Sequence, residues 1–176
     1  TGVTNLVSDS GVVASDTSAV GTARDTPAAA GYGEDKAIFG FGSTGTRTAI
    51  TNLVSNSGVV ASDTSGVGTA RNDLAAAAFG GDKAIFGFGN DGSTTNLSNL
   101  VSNQGVVASD TSGVGTSRSV LAAAGYGGDK AIFGFGHTGS GWTTVTNLVS
   151  NSGVVASDTS GVGSARLGLA AAGYAN

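Results

Sequence analysis

The sequence predicts an all-β fold made of one unit written repeatedly along the chain, and three observations carry that expectation. The first is an internal period: Asp35-Lys36-Ala37-Ile38-Phe39-Gly40-Phe41-Gly42 returns at Asp82 to Gly89 and at Asp129 to Gly136, 47 residues apart each time. The second is that each unit holds four short apolar runs separated by turn residues. The third is that these runs are continuous rather than alternating, as strands covered on both faces require. Four strands in about 47 residues make one blade, so the expected architecture is a β-propeller of four-stranded blades, with four repeats in the chain and one blade incomplete.

Each element can be placed in turn. The first run covers residues 74–79 in the second unit, the turn Gly80-Gly81-Asp82 follows, and residues 83–88 form the second run. After a polar, glycine-bearing loop come the third run at residues 99–102, the turn Asn103-Gln104-Gly105, and the fourth run at residues 106–110. Units start near Asn5, Asn52, Asn99 and Asn147, and the register holds without a linker, so residues 1–176 read as a single repeat domain. Phe39, Phe41, Phe86, Phe88, Phe133 and Phe135 all fall on the second run and are expected to fill the space between blades, while Ala and Gly allow close approach. The alternative is a short helix at the alanine run, where Asp25-Thr26-Pro27 precedes Ala28-Ala29-Ala30-Gly31, in a helix-containing or solenoid repeat. Barely two turns without a polar face argue against it.

Composition narrows the function. The apolar share of 39% supports a core, but 31 glycines make it thin. Without cysteine there is neither a disulfide framework nor a thiolate metal site. A net charge of −4 with scattered single Lys and Arg argues against nucleic acid as a partner. No apolar run reaches 18 residues, so membrane insertion is not expected, and a start at Thr1 points to a longer parent that has been cut or processed.

The stretch from Ala124 to Gly136, Ala-Gly-Tyr-Gly-Gly-Asp-Lys-Ala-Ile-Phe-Gly-Phe-Gly, resembles a kelch blade, whose second strand is a hydrophobic run closing on paired glycines. It departs from that pattern in having Phe135 between the glycines, and in carrying Leu148 and Val154 or their neighbours where kelch units have Tyr and Trp. Gly-Val-Val-Ala-Ser-Asp-Thr-Ser-Gly-Val-Gly, as at residues 105–115, resembles repeats of phage tail-fibre, other virion and marine environmental structural proteins. That resemblance implies surface recognition or assembly, at an extracellular or virion surface.

The strand count bears on partners. The chain opens on a third run and stops after a first run at residues 169–174, so it holds four copies of every run except the second, present three times. Unpaired edges invite pairing, and the expected partner is the protein itself, as a homo-oligomer or filament completed by strand exchange.

No catalytic constellation is apparent, so an enzyme is not expected. His137 is the only histidine and Glu34 the only glutamate, and the aspartates recur one to a position instead of in converging pairs. Asn90-Asp91-Gly92-Ser93 holds too few ligands for calcium and its counterparts lack the Asp, so neither a metal nor a cofactor is expected. Asp16 and Arg24, Asp63 and Arg71, Asp110 and Arg118, and Asp158 and Arg166 stand eight residues apart in every unit and read as structural pairs tying the fourth run to the next first run. Variation concentrates in two segments. One is the loop after the second run, with Arg47, then Asn90 and Asp91, then His137 and Trp142; the other is the pair after the arginine, Asp25-Thr26, Asn72-Asp73, Ser119-Val120 and Leu167-Gly168. In an up-and-down blade both emerge on one side, as a repeat protein presents a binding surface. The leading expectation is therefore a non-enzymatic, lectin-like module recognising a carbohydrate or cell-surface receptor through Trp142, His137, Arg47, Asn90 and Asp91; the alternative is a purely structural self-assembling protein.

Overall fold

The computed structural model describes residues 2–173. Among them are nine strands and no helix, arranged as three separate antiparallel sheets. The first contains β1 (Ala28–Tyr32), β2 (Lys36–Gly40) and β3 (Thr51–Val54); the second β4 (Ala75–Phe79), β5 (Lys83–Gly87) and β6 (Ser98–Val101); the third β7 (Ala122–Tyr126), β8 (Lys130–Gly134) and β9 (Thr146–Val149). The alanine runs at β1, β4 and β7 are thus strands, and among the described residues none is helical, which overturns the helical alternative. In each sheet the phenylalanine-bearing strand is central, with Ala30 opposite Ile38 and Ile38 opposite Leu53 in the first. The turn between its first two strands needs left-handed backbone, supplied by Gly33 (φ 57°) and Glu34 (φ 69°), and by Gly80-Gly81 and Gly127-Gly128 in the other units.

Two parts of the propeller expectation are corrected. The fourth run does not make a fourth strand. It touches β3 only through isolated bridges, Thr51 to Thr64 and Val54 to Val60, so it carries one residue more than its neighbour between the same two rungs. That extra residue is a bulge, and it breaks the ladder. The side chain of Asn52 fills the break, donating from Nδ2 to Ala61 O at 3.1 Å and to Asp63 Oδ1 at 2.8 Å. The same offset recurs in the second sheet, where Ser98 bridges Thr111 and Val101 bridges Val107, and in the third, where Thr146 bridges Thr159 and Val149 bridges Val155.

Nor do four blades close into a ring. The sheets stack in line, β1 against β4 and β4 against β7, and among the described residues no sheet is closed. The runs that were to make a fourth blade lack a second run to pair with. Residues 4–17 form a hairpin held by the bridges Thr4 to Thr17 and Val7 to Val13, while residues 169–173 carry no strand and Tyr174 lies outside the described residues.

The core sits between sheets. One layer joins Tyr32, Ile38 and Phe41 to Ala84, Phe86 and Val101; the next joins Phe79, Ile85 and Phe88 to Ala131, Phe133 and Val149. The middle sheet therefore sends Phe86 one way and Ile85 the other, which is why its strands are apolar throughout. Phe41 meets Phe86 edge to face with centroids 5.1 Å apart, and Phe88 meets Phe133 in the same way. Gly40 and Gly87 make the room: a Cβ there would come within 2.7 Å of Phe86 and 2.6 Å of Phe133. The second run ends earlier than expected, at Gly87, because Phe88 turns into left-handed backbone (φ 63°), as do Phe41 and Phe135.

Candidate binding edge

The repeated arginine positions most of what is polar in this core. Arg71 and Arg118 are fully buried, each with its guanidinium 4.4 Å over a phenylalanine ring of the preceding unit, Phe41 and Phe88. Arg71 donates from Nη2 to Asn99 Oδ1 at 2.5 Å, from Nε to Phe88 O at 2.9 Å and from Nη1 to Thr69 O at 3.1 Å. Its carboxylate partner is Asp110, 3.6 Å away, and that of Arg118 is Asp158 at 3.7 Å. The arginine thus pairs with the aspartate of the fourth run that follows it, not with the one eight residues before. Desolvation lowers the Arg71 pKa to about 10, against the pull of Asp110, so it remains charged at neutral pH.

A threonine and an asparagine complete this clamp. Thr69 donates from N at 2.9 Å and from Oγ1 at 2.7 Å to Asp110 Oδ2, and Asn99 Nδ2 donates to Asp110 Oδ1 at 2.9 Å. Burial pushes the Asp110 carboxyl up, but these hydrogen bonds and Arg71 outweigh it and hold it below its usual value. Thr116, Arg118, Asn147 and Asp158 repeat the arrangement, and Thr22, Arg24, Asn52 and Asp63 repeat it at the half-buried first unit. Sequence reasoning missed the threonine and asparagine. They recur in step with the arginine, but spacing does not say which copies meet.

The two variable segments converge. Asp25 and Ser43 exchange backbone hydrogen bonds at 2.9 and 3.0 Å, Asn72 and Asn90 at 3.1 and 2.8 Å, and Ser119 and His137 at 3.0 and 2.8 Å. Successive units are then joined: Gly42 N–H donates to Arg71 O, Gly89 to Arg118 O, and Val120 to Asp73 O. Both variable segments therefore lie along one continuous edge. The constant turns lie together elsewhere, with Asn56 donating to Asp35 at 3.1 Å and Asn103 to Asp82 at 3.0 Å.

On this edge Arg47 Nη2 donates to Asn90 Oδ1 at 2.6 Å, so these two residues are brought together across units. His137 and Trp142 face each other as a backbone bridge, and Gly139 N–H donates to His137 Nδ1 at 2.9 Å. Trp142 is 64% exposed. Asp91, also exposed, accepts from Ser93 N within its own turn and is not joined to the others. The second residue of each variable pair is left-handed: Thr26 (φ 45°), Asp73 (φ 54°), Val120 (φ 53°) and Gly168 (φ 65°). Such backbone is strained for threonine and valine, and at Val120 the N–H is tied to Asp73 O at 2.8 Å. Asp73, half-buried, has its carboxyl pushed up by desolvation and by Asp25, against Arg47.

Among the described residues no three His, Cys, Asp or Glu side chains gather as a metal site, and no helix is long and apolar enough to cross a membrane. Neither a protein-family model nor a curated protein matches this chain.

Proposed function

We propose that the protein is a non-enzymatic recognition module of a surface or virion protein, binding a receptor through the variable edge. The convergence of both variable segments on one hydrogen-bonded edge carries this reading, because a constant scaffold then presents side chains that differ from unit to unit. Trp142 offers an exposed ring on which a sugar can stack, beside the imidazole of His137. Arg47, Asn90 and Asp91 add donors and acceptors farther along the edge. The ligand class is carbohydrate. A glycan array tests it: reproducible binding lost in Trp142→Ala is the expected result, and binding unchanged in that variant, or none to any glycan, would sink it.

A further inference from the structure

We propose that the variable edge takes an uncharged, N-acetylated polysaccharide, through a row of hydrogen-bond donors, one from each sheet, that meets the acetamido carbonyls of the bound chain. This rests on the carbohydrate reading above and names the class of sugar.

The row is built in the same way three times from three different side chains. Gly45 N–H donates to Ser43 Oγ at 3.2 Å, Gly92 N–H to Asn90 Oδ1 at 3.0 Å and Gly139 N–H to His137 Nδ1 at 2.9 Å. The glycines keep positive φ (100°, 138° and 88°), so the turn is constant while the residue that closes it changes. Each of these bonds occupies an accepting atom and leaves a donor over. In a neutral imidazole whose Nδ1 accepts, the proton sits on Nε2. Asn90 Oδ1 accepts a second time, from Arg47 Nη2 at 2.6 Å, which fixes the amide and leaves Nδ2 to donate. Ser43 keeps its hydroxyl proton. Among the described residues neither Asn90 Nδ2 nor His137 Nε2 has a partner, and neither is enclosed, so both are open to a ligand.

The three donors hold one register position in successive sheets. Ser43 bridges Asp25 and Arg47, Asn90 bridges Asn72 and Thr94, and His137 bridges Ser119 and Trp142. Sheets packed face to face stand about 10 Å apart, so a ligand along the edge has to offer acceptors at that interval. Sugar hydroxyls donate as readily as they accept, whereas an acetamido carbonyl oxygen only accepts. Carboxylates and sulfate esters also only accept, but three carboxylates, Asp25, Asp73 and Asp91, against the single guanidinium of Arg47 make this edge negative and disfavour a polyanion. An extended β-linked chain repeats every two sugars at close to the spacing of the sheets. Alternate acetamido groups then reach successive donors, while Trp142, the cross-strand neighbour of His137, stacks on a sugar ring at the third sheet.

The test is calorimetric titration of the full chain with three hexamers, of β-linked N-acetylglucosamine, of β-linked glucose and of a uronic acid. The acetylated hexamer is expected to bind about tenfold or more tighter than the other two, and tighter than its own dimer, which meets a single donor. Asn90→Asp keeps an oxygen for Gly92 N–H and Arg47 but turns the remaining donor into an acceptor. It should weaken the acetylated hexamer by about tenfold and leave the glucose hexamer unchanged, with circular dichroism checking the fold. Equal binding of the acetylated and glucose hexamers by wild type, a preference for the uronic acid, or undiminished binding in Asn90→Asp overturns the donor row and leaves the carbohydrate reading standing. No binding to any of the three also overturns it, and the glycan array then decides whether the broader reading falls as well.

Discussion

Arg71 and Arg166 occupy the same position of the repeat and have opposite fates. Arg71 is fully buried between two sheets, ringed by Phe41, Asn99, Thr69 and Asp110, and its charge is tolerated only because every side of the guanidinium has a partner. Arg166 has the ring beneath it but, among the described residues, neither asparagine nor aspartate above, and it is exposed. Gly87 and Gly134 differ in the same way: a Cβ on Gly87 would strike the Phe133 ring, whereas one on Gly134 would meet only Thr146 at 3.3 Å. A unit of this protein does not bury itself. Its neighbours bury it, so identical sequence acquires different energetics by position in the stack.

That contrast can be broken most forcefully at the middle sheet. Phe86→Ala empties the seat beside Phe41, with an expected loss of about 3–5 kcal/mol, and Arg71→Met, which strands Asp110 and Asn99, is expected to cost a similar amount, about 3–5 kcal/mol. Urea denaturation measures both. Arg166→Met, in dilute protein, should leave the urea midpoint where it is; an equal loss at both arginines would mean that burial is not what separates them. Gly87→Ala overpacks the next layer, against Phe133, and is expected to cost about 1–3 kcal/mol, with Gly134→Ala close to neutral by thermal melting.

Acid sharpens the comparison. The carboxyls of Asp63, Asp110 and Asp158 are held below the ordinary value of 3.8, that of Asp63 chiefly by the Thr22 hydrogen bond. A carboxyl with a depressed folded-state pKa contributes stability fully above its unfolded value and loses it as pH falls through the folded one. Unfolding midpoints should therefore drop as pH falls below 3.8, and Asp110→Asn should flatten that decline. Asp73 has the opposite sign, since its raised pKa makes its ionised form costly above the folded value, and Asp73→Asn should raise stability at neutral pH. The smallest effect is expected at the strained edge: Thr26→Gly relieves the left-handed threonine for a gain of about 0.5–1 kcal/mol, read from the melting temperature.

Much of this was legible along the chain. The period of 47 follows from direct comparison of residues 35–42, 82–89 and 129–136, and the apolar, Gly-bounded runs at β4 and β5 lie within a residue of their expected positions. Convergence of the variable segments was also legible, because an up-and-down antiparallel order places alternate connections on one side. The fourth run was not. Its valines read as a strand, and only the pairing of Val60 with Val54 and Thr64 with Thr51 reveals the extra residue that turns it into a bulge held by Asn52. The clamp was half legible: Arg71 and Asp110 were both singled out, but each with a partner eight residues away in sequence.

By itself the sequence determined the unit, because hydrophobic runs, glycine turns and their period are local properties that any copy carries with it. Only the tertiary structure decided how units meet. Which aspartate faces Arg71 and which phenylalanine seats over Gly40 are contacts between chain segments far apart, and nearly identical repeats offer the same residues to each of them. The choice among those equal candidates is made by stacking, through the room that Gly40 and Gly87 leave and the reach of a guanidinium across one sheet-to-sheet layer.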